Sequence, residues 1–104
     1  MGTKKTGTDQ EILEGVVDKT TGPPLYKVLI FNDDFTTKMF VVQVLMNFFN
    51  KSEDAATQLM WHIHRNGMGV CGIYPLDVAE TKIKTVTDYA RKHDYPLRVS
   101  MEAE

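Results

Sequence analysis

From Leu25 onward the chain alternates between two apolar periods. Tyr26-Lys27-Val28-Leu29-Ile30-Phe31 is apolar almost throughout, as a buried strand would be. Phe40, Val41, Val44, Leu45, Phe48 and Phe49 then recur as doublets every four residues, which predicts a helix capped by Thr36 or Thr37. Ser52 is a good N-cap for a second helix, with Glu53 and Asp54 in its electropositive first turn. That helix carries Ala56, Leu59, Met60 and Ile63 on one face and stops at Asn66-Gly67. Met68 to Tyr74 reads as a second strand ended by Pro75. Val78 to about Lys92 reads as a third helix through Val78, Ile83, Val86, Tyr89 and Ala90, and Pro96 opens a last strand, Leu97 to Met101. The order β-α-α-β-α-β, without repeats, predicts an α+β domain: a three-stranded antiparallel sheet with three helices packed on one face.

The pattern breaks at Pro23-Pro24. Residues 1–24 are rich in Thr, Gly, Lys and acids, and only Ile12, Leu13, Val16 and Val17 cluster. So small a patch does not offset the entropy of ordering the segment, so residues 1–24 are expected to form a flexible N-terminal extension and residues 25–104 the folded domain. With 104 residues the chain is near the commonest size for a single domain. A net charge of −2 leaves no basic footprint for nucleic acid or an anionic membrane, and no apolar run nears the roughly 20 residues that span a bilayer. The stretch MGTKKTGTDQ lacks the apolar core of a secretory signal, and the single Cys71 rules out an internal disulfide, so a reducing cytoplasm is the expected location.

Three places carry candidate chemistry. Gly67-Met68-Gly69-Val70-Cys71-Gly72 matches G-x-G-x-x-G, but here a helix ends and a strand begins, the reverse of a dinucleotide site; a helix C-cap and a close backbone contact fit better. His62 and His64 point some 200° apart on a helix and cannot share a metal ion, and Cys71 in an apolar strand is a poor nucleophile; no metal, cofactor or catalytic group is expected. His64 shares a side with Met60, whereas His62 points toward Gln58 and Asn66. The third place is Asn32-Asp33-Asp34, where three acceptors in a row leave the first strand. Alone they could be an Asx turn and a helix cap. Joined by His64 they form an acceptor-rich set beside Val, Met, Ile and Leu. The complementary ligand is a donor with a greasy substituent, and a protein's free N-terminus with a bulky first residue has that form.

These residues resemble the ClpS family, bacterial adaptors that hand N-degron substrates to the ClpA-type unfoldase of the ClpAP protease. The resemblance rests on Tyr26-Lys27-Val28, Asn32-Asp33-Asp34-Phe35-Thr36, Ala56-Thr57-Gln58-Leu59-Met60, His64, Gly72-Ile73-Tyr74, Val78-Ala79-Glu80-Thr81-Lys82 and Tyr95-Pro96-Leu97. It implies a non-catalytic adaptor that binds chains beginning with Leu, Phe, Tyr or Trp. By the same resemblance Asn32, Asp34 and His64 hold the α-amino group, and Ile30, Asp33, Thr36, Val41, Met60, Ile63 and Leu97 line the side-chain pocket. Asp77, Glu80 and Lys82 fall to the unfoldase contact, the N-terminal extension serves delivery, and a monomer is expected. Where the family has T-P-M-E-F, this chain has Thr36-Thr37-Lys38-Met39-Phe40. The gating Met aligns with Lys38: either Met39 reaches the pocket through a local shift, or Lys38 lays its methylenes over the rim with its ammonium in water. The rival reading is a structural interaction domain in which His64 is a packed core residue.

Overall fold

The computed structural model describes residues 22–104, so the expected N-terminal extension lies almost wholly outside the described residues. Strand β1 (Leu25–Phe31) leads through a loop to α1 (Lys38–Phe48) and α2 (Glu53–Asn66), followed by β2 (Met68–Pro75), α3 (Leu76–Lys92) and β3 (Arg98–Ala103). β1 is central, in the order β2-β1-β3, and both pairings are antiparallel. Val28 and Ile30 of β1 are fully buried and join one core with Val44 and Leu45 of α1, Ile63 of α2, Val86 of α3 and Leu97. The predicted α+β architecture is the observed one.

Local chemistry sets the boundaries. The Thr37 hydroxyl accepts the Phe40 N–H and starts α1, and the Ser52 hydroxyl accepts the Ala55 N–H and starts α2. α2 ends at Gly67, whose φ of 92° costs glycine little, and the Gly67 N–H donates to the Ile63 carbonyl at 2.8 Å. Gly69 meets a different need: a Cβ there would lie 2.7 Å from Ile63 Cγ1 and 3.1 Å from Leu59 Cδ1, so α2 packs directly on β2 backbone. α3 begins at Leu76, two residues before the expected start. Pro75 precedes it with no N–H to satisfy, and Asp77 accepts the Val78 N–H at 2.9 Å within the first turn.

β2 carries one irregularity. Its register with β1 passes from Val28↔Gly72 to Leu29↔Val70, leaving Cys71 as an extra residue. Cys71 is buried, and its thiol is pushed up to about 12 by that burial, only partly offset by the charge of Lys51 and a backbone hydrogen bond at Ile30. Among the described residues no helix is long and apolar enough to cross a membrane.

Candidate functional site

The loop from β1 to α1 is built by one carboxylate. Asp33 Oδ1 accepts the N–H groups of Phe35 and Thr36 at 2.8 and 2.7 Å, and Oδ2 accepts the Thr36 hydroxyl at 2.7 Å. Burial opposes ionisation of Asp33, but these hydrogen bonds, with a contribution from the Arg91 charge, outweigh it and hold the carboxyl below its ordinary range. With Asp33 committed to the turn, its neighbours are left over. The side chains of Asn32 and Asp34 are exposed and have no hydrogen-bond partner among the described residues.

Two contacts fix this loop to the rest of the molecule. The Asn32 N–H donates to the Gly67 carbonyl at 2.9 Å, tying the end of β1 to the end of α2. The Thr37 hydroxyl lies 3.5 Å from the Tyr95 hydroxyl, reaching the segment before β3. That segment is held in turn by Arg91, whose Nη1 donates to the carbonyls of Tyr95 and Leu97 at 2.9 and 2.8 Å.

Between the loop and the last turn of α2 lies a hollow of about 290 Å³ lined by residues 32–38 and His64. It is near the lower end of the roughly 300–1,000 Å³ usual for small-ligand sites, room for one residue rather than an extended peptide. His64 is exposed and packs edge-on against Trp61, ring centres 5.7 Å apart; it is not a core histidine. His62 faces elsewhere, with Nδ1 3.1 Å from Asn66 Nδ2.

Asn32, Asp34 and His64 therefore meet at one hollow, joined there by Asp33, Thr36 and Lys38. Of the two possibilities at the rim, Lys38 faces the hollow, while Met39 lies on another groove of α1 with Val42, Gln43, Met46 and Tyr89. Ile30, Ile63 and Leu97 are at most 2 % exposed and belong to the core, Val41 and Met60 keep 7 % and 6 % of their surface, and none of these five expected pocket residues lines the hollow. Phe35 was not among the expected residues, yet it lines the hollow and is 77 % exposed. An aromatic directly after three acceptors was its only signal in the sequence. Trp61, three residues before His64 and so on the same side of α2, does not line the hollow but packs against His64.

The second expected cluster does not hold together. Asp77 and Glu80 share the outer face of α3 with Thr81, Lys84 and Asp88. Lys82 turns away from them. Its ammonium donates to the Phe48 carbonyl at the end of α1, at 2.6 Å, and lies 5.6 and 5.8 Å from the ring centres of Tyr74 and Phe49.

Residues 21–100 match the family model described as "ATP-dependent Clp protease adaptor protein ClpS". The chain belongs to the ClpS family. It is 50 % identical over 103 residues to the ClpS of Caulobacter vibrioides strain NA1000 / CB15N, covering 99 % of this chain and 94 % of that protein. It is also 58 % identical over 86 residues to the ClpS of Myxococcus xanthus, covering 83 % and 80 % of the two chains. A solved structure of Agrobacterium tumefaciens ClpS2 bound to L-phenylalaninamide is similar at 41 % identity with a TM-score of 0.77, over 80 % of this chain and all of that one. The ClpS match spans both the loop at Asn32–Thr37 and His64, so the hollow lies inside the family's shared domain.

Proposed function

We propose that this chain is a non-catalytic cytoplasmic adaptor that captures the free N-terminus of proteins beginning with Leu, Phe, Tyr or Trp and delivers them to a ClpA-type unfoldase of the ClpAP protease. The observation that carries the reading is the convergence of Asn32, Asp34 and His64 on one hollow while Asp33 is spent on shaping it. An α-ammonium brings three donors and no acceptor, which matches two acceptor side chains without partners and an imidazole. L-Phenylalaninamide, the ligand in the similar ClpS2 structure, presents such an ammonium beside a benzyl group. The first side chain would pass between Phe35 and the Lys38 methylenes toward Val41 and Met60, with Ile30, Ile63 and Leu97 as the apolar floor. Asp77 and Glu80 on the outer face of α3 are the side chains offered to the unfoldase, and Lys82 supports that helix from behind.

Magnitudes suit a carrier that must release its cargo. Burying a Leu or Phe side chain contributes about 1.5–3 kcal/mol, and each hydrogen bond to a charged group about 1.5–3 kcal/mol. The association cost of about 4–15 kcal/mol opposes both, leaving affinity near micromolar. Neither anchor suffices alone, so internal Leu or Phe residues are rejected. Calorimetric titration with a Phe-initiated peptide, its acetylated twin and L-phenylalaninamide tests the reading. Acetylation removes the charge and two donors and is expected to lower affinity at least about 100-fold. An acetylated peptide that binds as well as the free one would refute the ammonium site.

A further inference from the structure

Next to the hollow lies a patch of which the capture of a first residue uses only the Lys38 methylenes. Trp61, the only tryptophan of the chain, is 38 % exposed. Lys38 Nζ lies 5.7 Å from its ring centre and the Arg65 guanidinium carbon 5.4 Å, so both cations are within cation–π range. Lys38 comes from the start of α1, whereas Trp61 and Arg65 are four residues apart near the end of α2. The patch is continuous with the hollow, because Lys38 lines both and His64, which lines the hollow, packs edge-on against Trp61. Among the described residues no carboxylate lies within salt-bridge distance of Lys38 or Arg65.

Two positive side chains beside a site for a cationic ammonium are unfavourable for that ligand by themselves. The disadvantage becomes selectivity if the ligand also brings a negative charge one residue further on. Consecutive Cα atoms are about 3.8 Å apart, and the Trp61 ring centre is 5.7 Å from that of His64. A chain whose amine sits against His64 therefore has its second side chain within reach of the indole. The indole already carries two cations, so the group it can add is an anion, and a guanidinium presents a fork that fits a carboxylate.

We infer that Lys38, Trp61 and Arg65 form a second subsite that selects N-termini with Asp or Glu as the second residue. The inference rests on the amine-site reading and adds the choice among its substrates. Three free-amine peptides, identical except for Asp, Ala or Lys after an initial Phe, are titrated calorimetrically into the full chain and into Arg65→Glu. The titrations are run at about 50 mM and about 500 mM salt. The wild-type chain is expected to bind the Asp peptide about three- to tenfold more tightly than the Lys peptide at low salt, with the gap narrowing at high salt. Arg65→Glu is expected to reverse that order; the reversal is read within the variant, so any gain for the ammonium, which all three peptides share, leaves it intact. Equal affinities for the three peptides, or a preference that Arg65→Glu leaves unchanged, would overturn the second subsite and leave the amine site standing. Failure of all three to bind the wild-type chain would overturn both.

Discussion

Asn32, Asp34 and His64 come from separate elements and meet; Asp77, Glu80 and Lys82 come from one helix and part. The first group converges because β1 ends where α2 ends, and the Asn32–Gly67 hydrogen bond fixes that coincidence. The second group diverges by helix geometry. Asp77 and Glu80 are three residues apart and share a side, whereas Lys82, two residues beyond Glu80, is rotated about 200° from it. Polar residues that are close in a string make a site only when the backbone brings their faces together.

The largest expected effect tests the convergence. Asp34→Ala should weaken binding of L-phenylalaninamide about 10–100-fold, the loss of one hydrogen bond to a charged group, with the melting temperature unchanged. Asp33→Ala should weaken it less and lower the melting temperature, because its carboxylate holds three groups of the loop rather than the ligand. An Asp33→Ala variant that melts normally and loses as much affinity would place Asp33 against the amine instead. Next comes the divergence. Lys82→Met should cost about 1–2 kcal/mol in urea unfolding, since it leaves the Phe48 carbonyl without its donor, and should spare ligand affinity. An unfolding midpoint equal to wild type would return Lys82 to the outer face.

Acid should act on the β1–α1 loop by a smaller margin. The folded carboxyl of Asp33 titrates below its ordinary value of 3.8. The stability it lends is therefore full above that value and is lost as the pH falls through the lowered one. Wild type and Asp33→Asn should accordingly differ in melting temperature at neutral pH and converge in strong acid; a constant difference would show that Asp33 acts through shape rather than charge.

How much of this was legible beforehand depended on range. The strand at Tyr26–Phe31, the cap at Ser52, the stop at Gly67 and, to within one residue, the cap at Thr37 were readable because each is decided within four residues. The early start of α3 was not, since Pro75 serves both as the last residue of β2 and as the entry to the helix. The direction of Lys82 depends on a carbonyl 34 positions away. The stacking of Lys38 on Trp61 needs α1 and α2 already packed. Composition around Asn32 to Asp34 suggested a ligand for acceptors and the resemblance set Asp34 apart from Asp33, but that Asp33 builds the turn shows only in the fold.

The bond between the Asn32 amide and the Gly67 carbonyl rivets the end of β1, where the hollow begins, to the end of α2. The two elements that carry Asn32 and His64 are thereby joined by backbone, so the spacing of those side chains is set by the fold. On the proposed reading, an arriving chain end meets acceptors already spaced for it.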